Sequence, residues 1–355
     1  MLKSCWPARP IIFKEHGMKV RSIACSFIAG TLMTVAVNSS AAVFKIATVS
    51  PDGTSWMKSM RSAAADITVQ TDGRVKFKFY PGGVMGNDKA VMRKIRIGQL
   101  QGAAVPGGAM AGVAPDSLIY TLPLKFKSFA EIDYVRQRMD SRIVADVERG
   151  GFVNFGLAEG GFAYVMAKRP IASVEELKKG KVWIPSGDKA ALDAVQSFGV
   201  SPVPLSLADV LAGLQTGLID TVATSPIGAI ALQWHTQISH MTDLPIMYFY
   251  ALLAIDKKVF MRLPADDQKI VRTVMSQAYK TIDAQNRKDN ESAYNALLQQ
   301  GIELVEPSAE EISEWYSKAV IAQQQAVTER FFSPAIADEL DRYLQDYRQQ
   351  NLAQE

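Results

Sequence analysis

Strands and helices alternate from about residue 43 onward, and this alternation restricts the fold more than any other feature of the chain. Residues 43–49 (VFKIATV) read as a strand, and Pro51-Asp52-Gly53 as a turn. Residues 55–71 have helical spacing, with Trp56, Met60, Ala63, Ala64 and Ile67 on one face, and Gly73 ends the segment. Residues 75–80 (VKFKFY) alternate strictly as a second strand, which Pro81-Gly82-Gly83 breaks. Asn87 or Asp88 can cap a helix over 88–98, and the apolar run 102–105 reads as a buried strand. The order β-α-β-α-β predicts a doubly wound α/β fold around a parallel sheet.

A second block repeats this logic. After a helix over 128–149 come strands at 152–157 and 162–167 and a helical turn at 174–179. A strand at 181–184, a helix at 189–198, a strand at 202–205, a helix at 207–216 and a strand at 219–223 follow. A chain of 355 residues suits two such domains. From 264 the pattern is helical, with no Pro or Gly between Pro264 and Gly301, a rod of roughly 50–55 Å at about 1.5 Å per residue. Helical patterns at 308–330 and 334–349 complete the chain, and long terminal helices of this kind can brace two lobes.

Residues 18–42 have the form of a secretory signal peptide: Lys19 and Arg21, a charge-free stretch over 23–37, then Ser40-Ala41-Ala42. Cleavage is expected near Ala42, and residues 1–17 read as an upstream start or a long basic leader. Residues 1–42 hold five Lys/Arg and one Glu, which leaves 34 basic and 35 acidic residues beyond them. The net charge of +3 therefore lies in the leader and does not point to nucleic acid. Cys5 and Cys25 fall in the same segment, so thiol catalysis and disulfide scaffolding are excluded for the remainder. No run of about 20 apolar residues marks a membrane span. No Gly-x-Ser-x-Gly elbow, phosphate-cradling Gly-Lys-Ser/Thr loop or metal-ligand spacing occurs. His235 and His240 are the only histidines after the leader, too few for a metal site, and no cofactor is expected.

Four segments together resemble the substrate-binding subunit of tripartite ATP-independent periplasmic (TRAP) transporters, the DctP-type family. They are Tyr80-Pro-Gly-Gly-Val-Met-Gly-Asn-Asp88, Val174-Glu-Glu-Leu-Lys-Lys-Gly-Lys-Val-Trp-Ile-Pro185, the stretch 204–220 with Leu214-Gln-Thr-Gly-Leu-Ile-Asp220, and Leu263-Pro264. The resemblance spans roughly 44–330. It implies two α/β lobes with a ligand cleft between them, closing by a hinge and handing the ligand to membrane permease subunits. It also implies crossings between lobes near 162–165 and 251–255. Domain I would then be 43–163 with 253–300 and domain II 164–252, while 301–355 would pack across both.

The chain departs from the family where the ligand charge is met. Family members for organic acids usually hold the carboxylate with an arginine fork in the strand that here reads Lys181-Val182-Trp183. A second frequent arginine is replaced by Ala163, and the family's Glu-Asn-type pair by Thr224-Ser225. Trp183 in place of guanidinium suggests a flat apolar wall with one N–H donor. The ligand is then an organic acid held otherwise, or a less charged solute with an aromatic or apolar part. Lys125 and Lys127 are candidates for a displaced positive charge.

Further candidate ligand contacts are Ser55 and Trp56 at a helix start after the first strand, and Pro106 and Gly107 after the third. Phe126, Glu159, Leu207, Thr224, Ser225 and Trp234 complete the set; each also has an ordinary packing or solvated reading. Two other functions stay open: a periplasmic receptor feeding a sensor protein, and a periplasmic enzyme using carboxylates.

Overall fold

The computed structural model describes residues 41–352, so the expected signal peptide lies outside the described residues. The elements in chain order begin with β1 (Ala42–Thr48), α1 (Ser55–Gln70), β2 (Val75–Tyr80), α2 (Asp88–Arg96), β3 (Gly102–Pro106) and α3 (Phe129–Arg149). Next come β4 (Phe152–Val153), β5 (Ala158–Ala167), α4 (Val174–Lys178), β6 (Trp183–Pro185), α5 (Lys189–Ser197) and β7 (Val203–Leu205). Then follow α6 (Val210–Thr216), β8 (Thr221–Thr224), α7 (Pro226–Ala231), β9 (His240–Thr242), β10 (Met247–Asp256) and α8 (Lys257–Phe260). The chain ends with α9 (Ala265–Gln299), β11 (Glu303–Val305), α10 (Ala309–Thr328) and α11 (Pro334–Leu352).

The opening is the expected one. β1 lies between β2 and β3, parallel to both, in registers Ala42↔Val75 and Ile46↔Gly102. Thr54 caps α1 by accepting from Met57 N, and Asn87 rather than Asp88 caps α2. α1 buries Met57, Met60, Ala63, Ala64 and Ile67. Trp56 is only half-buried, because the cap at Thr54 turns Met57 inward instead.

β5 and β10 knit the molecule together. β5 pairs with β10 over Ala158–Ala163, then with β8 and β9 over Tyr164–Ala167. β10 in turn pairs antiparallel with β3 over Ala251–Ile255. The expected strand 152–157 shrinks to two residues, because Asn154 folds back: its amide donates to Val144 O and its Oδ1 accepts from Gly156 N, at φ +121°. β5 instead starts four residues earlier than expected, through Gly160-Gly161. A side chain at Gly160 would stand 2.9 Å from Phe249 Cβ, and Gly161 has φ +86°, so both positions need glycine. The strand expected at 181–184 is Trp183–Pro185, paired with β7.

Apolar clusters flank each half of this strand system. Ala47, Ala103 and Val105 face α2, α3 and α11, while Phe44, Ile46 and Ala104 face α1 and α9. In the second half, Val165 and Ala167 face α4 and α10, and Met166 and Val222 face α6 and Trp234. α9 runs about 52 Å. Asp267 near its start binds Arg74, and Leu297 near its end packs with Trp183 and Met241 in the second half. α10 sends the Trp315 indole N–H to Ala172 O, and α11 is held by Arg348–Glu131 and Arg142–Glu339. The two C-terminal helices thus rest on different halves.

Candidate functional site

Because β1, β2 and β3 are parallel, their C-terminal ends share one edge, the place where open α/β sheets receive ligands. At this edge Gly83 N donates to Thr48 O, which folds the 81–87 turn over the end of β1. Thr48, Val105 and this turn surround a narrow recess of about 10 Å³, hardly room for a water molecule, with Ala47, Val49, Met85 and Val91 in its walls. Its lining side chains are apolar except for Thr48 and Asp88.

The loop after β6, residues 186–188, faces this edge from the other half. A Cβ on Gly187 would meet Lys89 Cδ at 3.7 Å, and one on Gly108 would lie 4.0 Å from Asp188 Oδ2. Asp88 opens α2 and Asp188 caps α5 by accepting from Ala191 N. Among the described residues Asp88 forms no side-chain hydrogen bond or ion pair. Burial and then the charge of Asp188 raise its pKa to about 6. Asp188 is also raised by burial, against the pull of the Ala191 and Ala190 amides. The two partly buried carboxylates are near enough for one to raise the other, and among the described residues no guanidinium pairs with either.

The residues singled out in the sequence separate into several places. Trp183 is 7% exposed, its indole N–H donates to Leu205 O at 3.1 Å, and it packs edge-on against Trp234 at 5.2 Å. The donor expected for a ligand is therefore already used. Trp234 is buried in the same cluster and Leu207 is half-buried against it. Thr224 ends β8 opposite Tyr164, and Ser225 caps α7. Pro106 is exposed at the end of β3. Gly107 is required by Tyr250, whose ring would stand 2.3 Å from an added Cβ, so its small size serves packing.

Phe126 is interior, edge-on to Tyr120 and Tyr248 at 6.1 and 6.3 Å. The expectation that Glu159 is free for a ligand hydroxyl or amine is corrected. It is 1% exposed and takes both Nε (3.1 Å to each oxygen) and Nη2 of Arg287, which also binds Asp133. Ser55 donates to Asp289 Oδ2 at 2.6 Å, and the Trp56 indole rests on Met60 and Tyr279. Lys125 and Lys127 do not supply the missing charge: Lys125 pairs with Asp341, and Lys127 lies over the Tyr316 ring. The approach of Asp188 to Asp88 was not visible in the sequence, because they are 100 positions apart and each reads alone as a helix-start residue.

Solved structures share this architecture. A TRAP periplasmic solute-binding protein from Ralstonia eutropha, with bound (S)-2-acetolactate, superposes with TM-score 0.79 at 19% identity, covering 86% of this chain and all of that one. One from Xanthobacter autotrophicus with bound β-D-galacturonate gives 0.77 at 19%, covering 85% and 99%. The fold is thus the two-lobed α/β fold of periplasmic binding proteins. In sequence, the chain is 24% identical over 249 residues to the C4-dicarboxylate-binding periplasmic protein DctP of Rhodobacter capsulatus, covering 69% of this chain and 74% of that protein. It is 23% identical over 220 residues to an uncharacterized protein of Salmonella typhimurium, covering 59% and 64%. The family pattern matches residues 46–330, and the chain belongs to the bacterial extracellular solute-binding proteins, family 7 (DctP), the solute-binding subunits of TRAP transporters.

Proposed function

We propose that the chain is exported to the periplasm, captures a small organic solute between its two lobes, and delivers it to the membrane permease subunits of a TRAP transporter. The lobes are 43–163 with 253–300, and 164–252; residues 301–355 pack against both. The exchange of partners by β5 at Ala163–Tyr164 supports the first boundary. The hinge lies at Gly160-Gly161 and the irregularity between Phe249 and Tyr250, so that solute contacting both lobes shifts the population toward closure.

The observation that carries this reading is the C-terminal edge of β1–β3, which the 186–188 loop of the other half faces. Thr48, Pro106, Thr224 and Ser225 are the uncharged polar or backbone positions nearest strand ends. With Ala163 and Trp183 in the two arginine positions, the solute is not anchored as the family's organic acids are. A thermal-shift screen over carboxylic acids, amines, amino acids and neutral polyols tests capture, since a ligand bound only by the folded state raises Tm by mass action. Turnover of a hit would support an enzyme instead. Uptake that survives loss of the permease would support a sensor receptor. Export predicts an N-terminus near Val43 on protein recovered from the periplasm.

A further inference from the structure

Helix α10 shows solvent a face that a surface helix ordinarily fills with charge. From Ser313 to Thr328, a span of about 24 Å, every exposed residue of α10 is uncharged. The two charged residues within the span, Glu314 and Lys318, are half-buried and of opposite sign. By contrast, α9 exposes Lys269, Lys280, Lys288 and Glu291. Of the nine large apolar side chains exposed among the described residues, three (Val320, Ile321 and Val327) fall in this one stretch of α10. We propose that the face binds a second copy of the same chain, with two α10 helices lying antiparallel about a two-fold axis at Gln324.

The shape of the face suits its own copy. Val320, Gln324 and Val327 stand at four- and three-residue spacing, so they form one ridge along α10. Beside this ridge runs an open groove of about 240 Å³, with Leu122, Ala337 and Leu340 on its other wall. A two-fold axis at Gln324 sets Val320 of one copy against Val327 of the other and lets each ridge enter the other's groove. The neighbouring glutamines serve the fold: Gln323 donates its amide to Pro123 O at 2.7 Å, and Gln325 Oε1 accepts from Ser197 Oγ at 2.9 Å. Gln324 between them is exposed, and among the described residues its amide forms no hydrogen bond. On the axis it meets its own copy, where one amide donates and the other accepts.

Charge decides the partner. A charged surface laid on this face would give up its hydration and find no opposite charge to meet. A copy of the face is uncharged in the same places, so neither side strands a charge on association. The one ion pair in the groove wall, Lys125 with Asp341, is already neutral as a pair. A contact of this length is at the small end of specific interfaces, so the dimer is expected to dissociate on dilution. None of these residues belongs to the crevice between the β1–β3 edge and the 186–188 loop, so the inference stands apart from solute capture.

Sedimentation velocity on the mature chain over a dilution series tests this, with Gln324→Lys, Gln324→Glu and Gln324→Ala alongside. The expected result is a monomer–dimer equilibrium in the unaltered chain. Gln324→Lys and Gln324→Glu each bring like charges together at the axis and weaken the dimer at least tenfold, whereas Gln324→Ala weakens it far less. An equimolar mixture of the Lys and Glu variants restores association, because the axis then joins opposite charges. Position 324 is exposed, so melting of the three variants stays cooperative. An unaltered chain that remains monomeric at every concentration overturns the proposal; if uptake then falls in Gln324→Lys while solute binding holds, the face belongs to the membrane partner. Dimers equally stable in all variants, or a Lys–Glu mixture no tighter than either variant alone, overturn it as well, since the copies would then meet through another face.

Discussion

Replacing Arg287 tests the buried ion pair that ties α9 to β5. The Glu159 carboxylate is 1% exposed and has three groups near it: Nε and Nη2 of Arg287, and the Tyr248 hydroxyl at 3.4 Å. Arg287→Ala removes the only cation and leaves a buried charge on one weak hydrogen bond. Breaking one partner of a buried pair costs about 3–5 kcal/mol. The half-exposed flank of Arg287, shared with Asp133, places the expected loss at the lower end, about 3 kcal/mol. Glu159→Gln keeps an acceptor and leaves Arg287 on Asp133, so about 1–2 kcal/mol is expected. The double variant Glu159→Gln/Arg287→Met should be less destabilised than the sum by about 1–2 kcal/mol. Urea unfolding gives these values, and hydrogen exchange should quicken at 159–163 first, because Glu159 directly precedes Gly160-Gly161. A loss below about 1 kcal/mol for Arg287→Ala would refute the argument, since it would mean that the carboxylate reaches water when its partner goes.

Further outcomes follow from the same packing. Asp88 has a pKa raised to about 6, so the folded state binds more protons than the unfolded one between about pH 4 and 6, and its contribution to stability falls as pH rises through that window. Asp88→Asn should abolish this slope and stabilise the empty receptor at pH 7–8 by about 1 kcal/mol after discounting for partial exposure, with no gain below pH 4; equal slopes in both proteins would contradict it. Trp183→Arg puts a guanidinium among Val210, Leu214 and Trp234, and should cost about 3 kcal/mol or more in urea unfolding without creating a carboxylate site; an arginine variant that is stable and gains acid binding would show that the indole does face the crevice. Gly160→Ala should cost about 1–3 kcal/mol by pressing on Phe249, seen as a lower Tm.

The elements were more legible in the sequence than the site. Strict alternation over VKFKFY and the glycine breaks after it fixed the parallel opening, and the absence of Pro and Gly after Pro264 announced α9. What alternation could not show was how far β5 extends. Gly160-Gly161 looked like a break, but there the glycines allow close pairing against Phe249. The position of Trp183 was readable by resemblance. Its direction was not, because Trp234, 51 positions later, makes the interior surface it packs on. The same holds for Glu159, whose charge is answered by Arg287 from the middle of α9. Side chains whose partner comes from a distant element have no local signature, and the facing of Asp88 and Asp188 is of that kind.

The central claim is that this receptor holds its solute between the β1–β3 edge and the 186–188 loop. A crystal structure of the mature chain with the tightest-binding hit of the thermal-shift screen measures this directly. The account predicts a closed crevice with the solute in contact with both the β1–β3 edge and the 186–188 loop. A bound solute found outside the crevice, or touching one lobe alone, would contradict it.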